Sequence, residues 1–216
     1  VVDSSKVQEL SQLVDFSHWQ LSVEDDTMLI KKPRNSQLDF SAVAKGYAVD
    51  ILSQNLGIHG ITDFMVEIGG EVYCKGRNNK SLPWSIGLSK PEITAGIREF
   101  EAIIKLNDEA MASSGNYRNY YEVNGSLYGH EINPKTGYPE INALLGVTTV
   151  TSNCAKADAL ATAFMVMGLE RSKNWLNSKD NIQAILFYRE NDAGIGRWMT
   201  QDIASKVSFI DDDSSY

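Results

Sequence analysis

The segment from Ala155 to Met167, closed by Gly168, constrains the fold more than any other part of the chain. Its apolar residues recur at helical spacing. Ala155, Ala157, Ala159, Ala161 and Ala163 leave one flank of the helix almost bare of side chains. An apolar helix this thin lets another backbone or a large ligand approach closely, so the spacing predicts a tightly packed helix over about 155–167. Asp158 and Thr162 lie four residues apart on it and share one face. A carboxylate near a helix start is ordinarily a dipole partner. A carboxylate and a hydroxyl one turn apart also supply the oxygen ligands of a hard cation such as magnesium. Both readings stay open on this segment alone.

The rest of the chain supplies what such a helix packs against. A first helix is expected over 5 to about 15, with a capping box from Ser5 to Gln8. Trp19, Leu21 and Val23 alternate with polar neighbours, and Met28 to Ile30 follows an Asp-rich turn, which predicts a β-hairpin. A second helix is expected from about Ala42 to Leu56, with Gly57 as its stop. Strands are expected at 63–68, 71–75, 84–88, 100–106, 118–123, 126–132 and 144–151, with a loop at 113–116 and a turn at 133–139. A helix over about 169–177 and a hairpin of 182–188 with 197–200 complete the order. Strands in hairpin-like groups, broken by helices without a regular βαβ repeat, define an α+β class of mixed, mainly antiparallel sheets with packed helices. No Gly-, Ser- or Pro-rich linker divides residues 1–210, so they are expected to form one domain, with an acidic tail over 211–216.

Size and charge narrow the function. A chain of 216 residues should leave roughly 10,000 Å² exposed when compact, enough for a core without staples. The net charge of −8 argues against nonspecific binding to nucleic acid or anionic lipid. No apolar run approaches a membrane span. Cys74 and Cys154 fit no metal or redox spacing, and read either as one disulfide or as two unrelated buried thiols.

Four further segments can carry chemistry. Lys45 stands in a small, apolar first turn beside backbone amides that favour an anion, or else snorkels to solvent. Asp39 just before it reads as an N-cap. Gly69-Gly70 reads as a bulge or as a place where a ligand meets backbone. Ser113 to Asn116 offers hydroxyl and amide donors to phosphate, or is a simple turn. His130 stands where strand gives way to the turn through Asn133, Pro134 and Gly137, a usual position for a catalytic base, although a lone histidine is more often structural.

Taken in order, Leu38-Asp39-Phe40, Ala42 through Ala48, Glu67 through Gly70, Ser113 through Gly115, His130 through Gly137 and Ala157 through Thr162 closely resemble the ApbE family of FAD:protein FMN transferases. The resemblance runs from about residue 5 to about 200. It implies a magnesium-dependent reaction in which FAD is split at its pyrophosphate, FMN is joined by a phosphoester to a threonine or serine of a flavoprotein subunit, and AMP leaves. It further implies that Asp39, Lys45 and Ile132 contact FAD, that the Ala42 carbonyl, Asp158 and Thr162 bind magnesium, and that His130 is the base. A T-fold-related architecture follows from the same resemblance. So does an exported, lipid-anchored location on the periplasmic face of the inner membrane, with the anchor outside this chain and with Val1 to Phe16 matching the interior of longer relatives. The competing activities are an FAD pyrophosphatase and an FAD-binding lipoprotein without turnover. Three positions depart from the family pattern. Ala161 replaces a further carboxylate, Ser113 and Lys135 alter the reach of two motifs, and Glu71 follows the Gly-Gly pair where many relatives carry Asp.

Overall fold

The computed structural model describes residues 3–14, 16–91, 99–116, 120–123, 126–129, 131–139, 143–190 and 194–210. Its helices are α1 (Ser4–Ser11), α2 (Ala44–Ile58), α3 (Cys154–Met167) and α4 (Leu169–Leu176). Its strands are β1 (Gln20–Glu24), β2 (Thr27–Lys31), β3 (Phe64–Ile68), β4 (Glu71–Lys75), β5 (Trp84–Ser89), β6 (Phe100–Leu106), β7 (Glu109–Gly115), β8 (Tyr120–Val123), β9 (Ser126–Gly129), β10 (Leu144–Thr151), β11 (Gln183–Arg189), β12 (Ile195–Met199) and β13 (Val207–Phe209). Every pairing between these strands is antiparallel.

A six-stranded sheet in the order β12-β11-β10-β7-β4-β3 forms the middle layer. The period-two alternation of its strands serves two cores at once. Val72, Met111, Val150, Ile185 and Phe187 point to one side and meet Leu88, Ala102, Ile104 and Leu106 of the three-stranded sheet β13-β6-β5. Val147, Ala184 and Leu186 point to the other side and meet Ala161, Phe164 and Met165 of α3 and Leu176 of α4. Val49 of α2 and Cys154 of α3 join Ala110 of β7 in a third cluster on the helical side. The thin flank read from the sequence is real, and Ala157 and Ala161 are both fully buried.

α2 and α3 approach each other closely in the helical layer. A Cβ built on Gly46 would stand 2.4 Å from the carbonyl oxygen of Cys154, so only glycine fits there. The buried carboxylate of Asp50, one turn further along α2, accepts from the amides of Cys154 at 2.8 Å and Ala155 at 2.9 Å. It thereby satisfies two of the free donors at the start of α3. Asn153 caps a third, accepting from Lys156 N.

Several expectations need correction. The segment 113–116 is no loop. Ser113, Ser114 and Gly115 end β7, each paired with β10. α1 is capped by Asp3, whose carboxylate accepts from Ser5 N and Lys6 N, and no Ser5 to Gln8 box forms. α2 begins at Ala44 and runs through Gly57 to Ile58, because a turn over residues 41–43 precedes it. Glu131, expected at the end of a strand over 126–132, lies outside any strand, and β13, only three residues long, was not expected from the sequence. Gly69-Gly70 is a two-residue hairpin turn with Ile68 paired to Glu71, not a bulge. Cys74 and Cys154 are both free, and burial pushes each thiol up to about 12. The β1–β2 hairpin forms as expected, but every residue of both strands is exposed. The chain exposes 14140 Å² in all, more than the roughly 10,000 Å² expected of a compact chain of its mass. His130 and residues 211–216 lie outside the described residues.

Candidate active site

A cleft of about 910 Å³ opens where the two sheets part. Ile86 to Ser89 of β5 line one side, and Met111 and Ser113 to Gly115 of β7 with Gly146 to Thr148 of β10 line the other. Its end is closed by the start of α2, the Gly69-Gly70 turn and the face of α3 that carries Asp158 and Thr162. Asp39, Ala42, Lys45, Ile132, Asp158 and Thr162 all line this one cleft. Of the residues singled out from the sequence, only His130 is not described, and its neighbours Glu131 and Ile132 are on the cleft wall.

Each of these side chains is held by a specific local feature. Asp39 accepts from Ser41 N at 2.7 Å and from the Ser41 hydroxyl, closing the turn ahead of α2 instead of capping the helix itself. The Ser41 hydroxyl, and then its amide, hold the Asp39 carboxyl below the usual carboxylate range. The first intrahelical bond of α2 runs from Tyr47 N to Val43 O. Gly46 N, which would bond the Ala42 carbonyl if the helix began earlier, donates instead to Asp158 Oδ2 at 3.0 Å. The Ala42 carbonyl is thereby released from the helix ladder at the cleft edge.

Asp158 is 3% exposed. Burial raises its carboxyl above the usual range, opposed by the Gly46 amide and the charge of Lys45. Thr162 Oγ1 lies 3.2 Å from Ser114 Oγ, and Ser113 Oγ lies 2.9 Å from Thr148 Oγ1, so the end of β7 presents hydroxyl pairs on both faces. Lys45 does not snorkel freely. Its amine is 2.5 Å from Glu71 Oε1, and the Glu71 side chain is only 1% exposed. Burial raises the Glu71 carboxyl, Lys45 draws it back, and Asp158 pushes it up again.

The cleft end therefore holds two desolvated carboxylates against one ammonium. That surplus of buried negative charge suits a cation. Among the described residues no three His, Cys, Asp or Glu gather to hold a metal. The oxygen donors that do face the cleft are one carboxylate, one hydroxyl and one backbone carbonyl, a hard donor set. From the sequence Glu71 stood out only as a departure from the family pattern, without its tie to Lys45. Asp50, outside the cleft, was missed as a lone carboxylate inside the apolar run Val49 to Leu52, and it holds the start of α3.

Fold and cleft together define an α+β protein with a polar cleft between two antiparallel sheets. Residues 1–186 match the model of the ApbE family, and the chain belongs to that family. It is 44% identical over 151 residues to a protein named FAD:protein FMN transferase from Vibrio cholerae serotype O1, covering 70% of this chain and 44% of the relative. A relative of the same name from Escherichia coli K12 is 33% identical over 168 residues, covering 78% of this chain and 47% of that protein. Among solved structures, the flavin transferase ApbE from Vibrio cholerae superposes with a TM-score of 0.79 at 32% identity, covering 95% of this chain and 63% of that one. The apo flavinyl transferase ApbE of Pseudomonas stutzeri gives 0.79 at 30% identity, covering 95% and 61%. The chain thus spans a little under half the length of these curated relatives.

Proposed function

We propose that this protein is an FAD:protein FMN transferase, which splits FAD at its pyrophosphate and joins FMN by a phosphoester to a threonine or serine of a partner flavoprotein, releasing AMP. The observation that carries this reading is the meeting of Asp39, Ala42, Lys45, Ile132, Asp158 and Thr162, from distant parts of the chain, in one cleft large enough for a dinucleotide. The names of the relatives support the same activity.

In this reading Asp39 and Ile132 contact FAD, and Lys45 faces its pyrophosphate. Asp158 Oδ1, Thr162 Oγ1 and the Ala42 carbonyl would hold magnesium, which the buried negative charge at the cleft end favours. A bound magnesium ion neutralises phosphate charge during transfer. Gly46 N fixes the orientation of Asp158 through its other oxygen. His130 takes the proton of the acceptor hydroxyl as general base. The same reading carries an exported, lipid-anchored location.

The test is incubation with FAD, magnesium and a peptide bearing the acceptor threonine, followed by mass spectrometry. Flavinylated peptide is the expected product. FMN and AMP without labelled peptide would mean a pyrophosphatase, and unchanged FAD a binder. Asp158→Ala is expected to cut labelling at least about 100-fold, and retention of full magnesium-dependent labelling would overturn the metal assignment.

A further inference from the structure

Glu71 has no part in the reading above, yet it is the most deeply buried charged side chain that reaches the cleft's lysine. It opens β4 directly after the Gly69-Gly70 turn and is 1% exposed. Its Oε1 meets the Lys45 amine at 2.5 Å, while Oε2 has no hydrogen-bond partner. The turn is shaped around this pair. Gly69 has φ +62, and a Cβ there would stand 3.3 Å from Lys45 Cδ and 3.7 Å from Glu71 Oε2. The bare turn lets the lysine stem cross it to reach the carboxylate. The Lys45 side chain remains 46% exposed to the cleft, so its ammonium, with three donors, keeps two for a ligand.

We propose that Glu71 is the positioning residue that holds the Lys45 amine in the cleft, where it meets the pyrophosphate of FAD. The proposal rests on the flavin reading and adds a partner to it. A free lysine side chain is rich in rotamers, and Glu71 removes that freedom before the ligand arrives. Pre-organisation of this kind lowers the cost of binding. Simple charge counting gives the opposite expectation. Glu71 is an anion near an anionic ligand, so without a positioning role its neutralisation would tighten binding.

That opposition makes the test decisive. FAD affinity is measured by quenching of flavin fluorescence in the wild type, Glu71→Gln, Lys45→Ala and the double variant, with magnesium present. Glu71→Gln is expected to weaken FAD about tenfold, the loss of one charge-assisted hydrogen bond. In the Lys45→Ala background the same change is expected to do nothing further, because Glu71 acts only through that amine. Unchanged or tighter binding by Glu71→Gln overturns the proposal, as does an equal loss in both backgrounds, which marks a merely structural role. A wild type that binds no FAD overturns the flavin reading itself, and the proposal with it. The wild type also gives a measurement that needs no variant to fold. In reductive methylation without FAD, Lys45 should react more slowly than the exposed Lys80, and equal rates overturn the proposal.

Discussion

The α2–α3 contact and the β1–β2 hairpin are built from similar local signals and end in opposite states. In both segments the local residue pattern marks the element that forms. In the first, Val49 and Cys154 are fully buried, Gly46 lies against the backbone of Cys154, and Asp50 is enclosed with both oxygens satisfied. In the second, Leu21 is 70% exposed and Val23 69%, although the Leu21↔Ile30 and Val23↔Met28 pairs form in good register. Periodicity decides which element forms. Whether its apolar face is covered depends on a partner from elsewhere in the sequence, and α2 has one in α3 where the hairpin has none among the described residues.

Three substitutions test that contrast. Gly46→Ala should have the largest effect, destabilising the protein by about 3 kcal/mol, because the added methyl meets backbone that cannot yield. Denaturant unfolding measures it, and a loss below about 1 kcal/mol would mean the two helices can separate freely. Asp50→Ala should cost about 2 kcal/mol by stranding the amides of Cys154 and Ala155. A neutral result would show that water replaces the carboxylate at the start of α3. Leu21→Ser combined with Ile30→Ser should change global stability by no more than about 0.5 kcal/mol, since both side chains already face solvent. A loss comparable to that of Asp50→Ala would break the comparison by showing that the hairpin is covered in solution.

The same contrast explains what could be read from the sequence. α3, its stop at Gly168 and the shared face of Asp158 and Thr162 were legible, because helical spacing and capping are local. The strands β3 to β6 and β10 to β12 were legible through their β-branched and aromatic alternation. β7 was not, because Ala112-Ser113-Ser114-Gly115 has the composition of a turn. That stretch is strand because β10 pairs with it throughout, while β4 pairs with β7 only over Glu109 to Met111. The cleft residues were legible as an ordered set of motifs. Their couplings were not, since the bond from Gly46 to Asp158 joins residues more than 100 positions apart, and Glu71 gains its meaning only from Lys45.

The first turn of α2 has a consequence for genetics. Gly46 admits no side chain, its amide fixes Asp158, and Lys45 beside it is committed to Glu71. A mutational scan across this turn would find few silent positions, and its loss-of-function alleles would mix misfolded proteins with folded but inactive ones. Abundance and activity would have to be scored together for each allele, because at this turn one backbone amide serves both the packing of the protein and the geometry of its site.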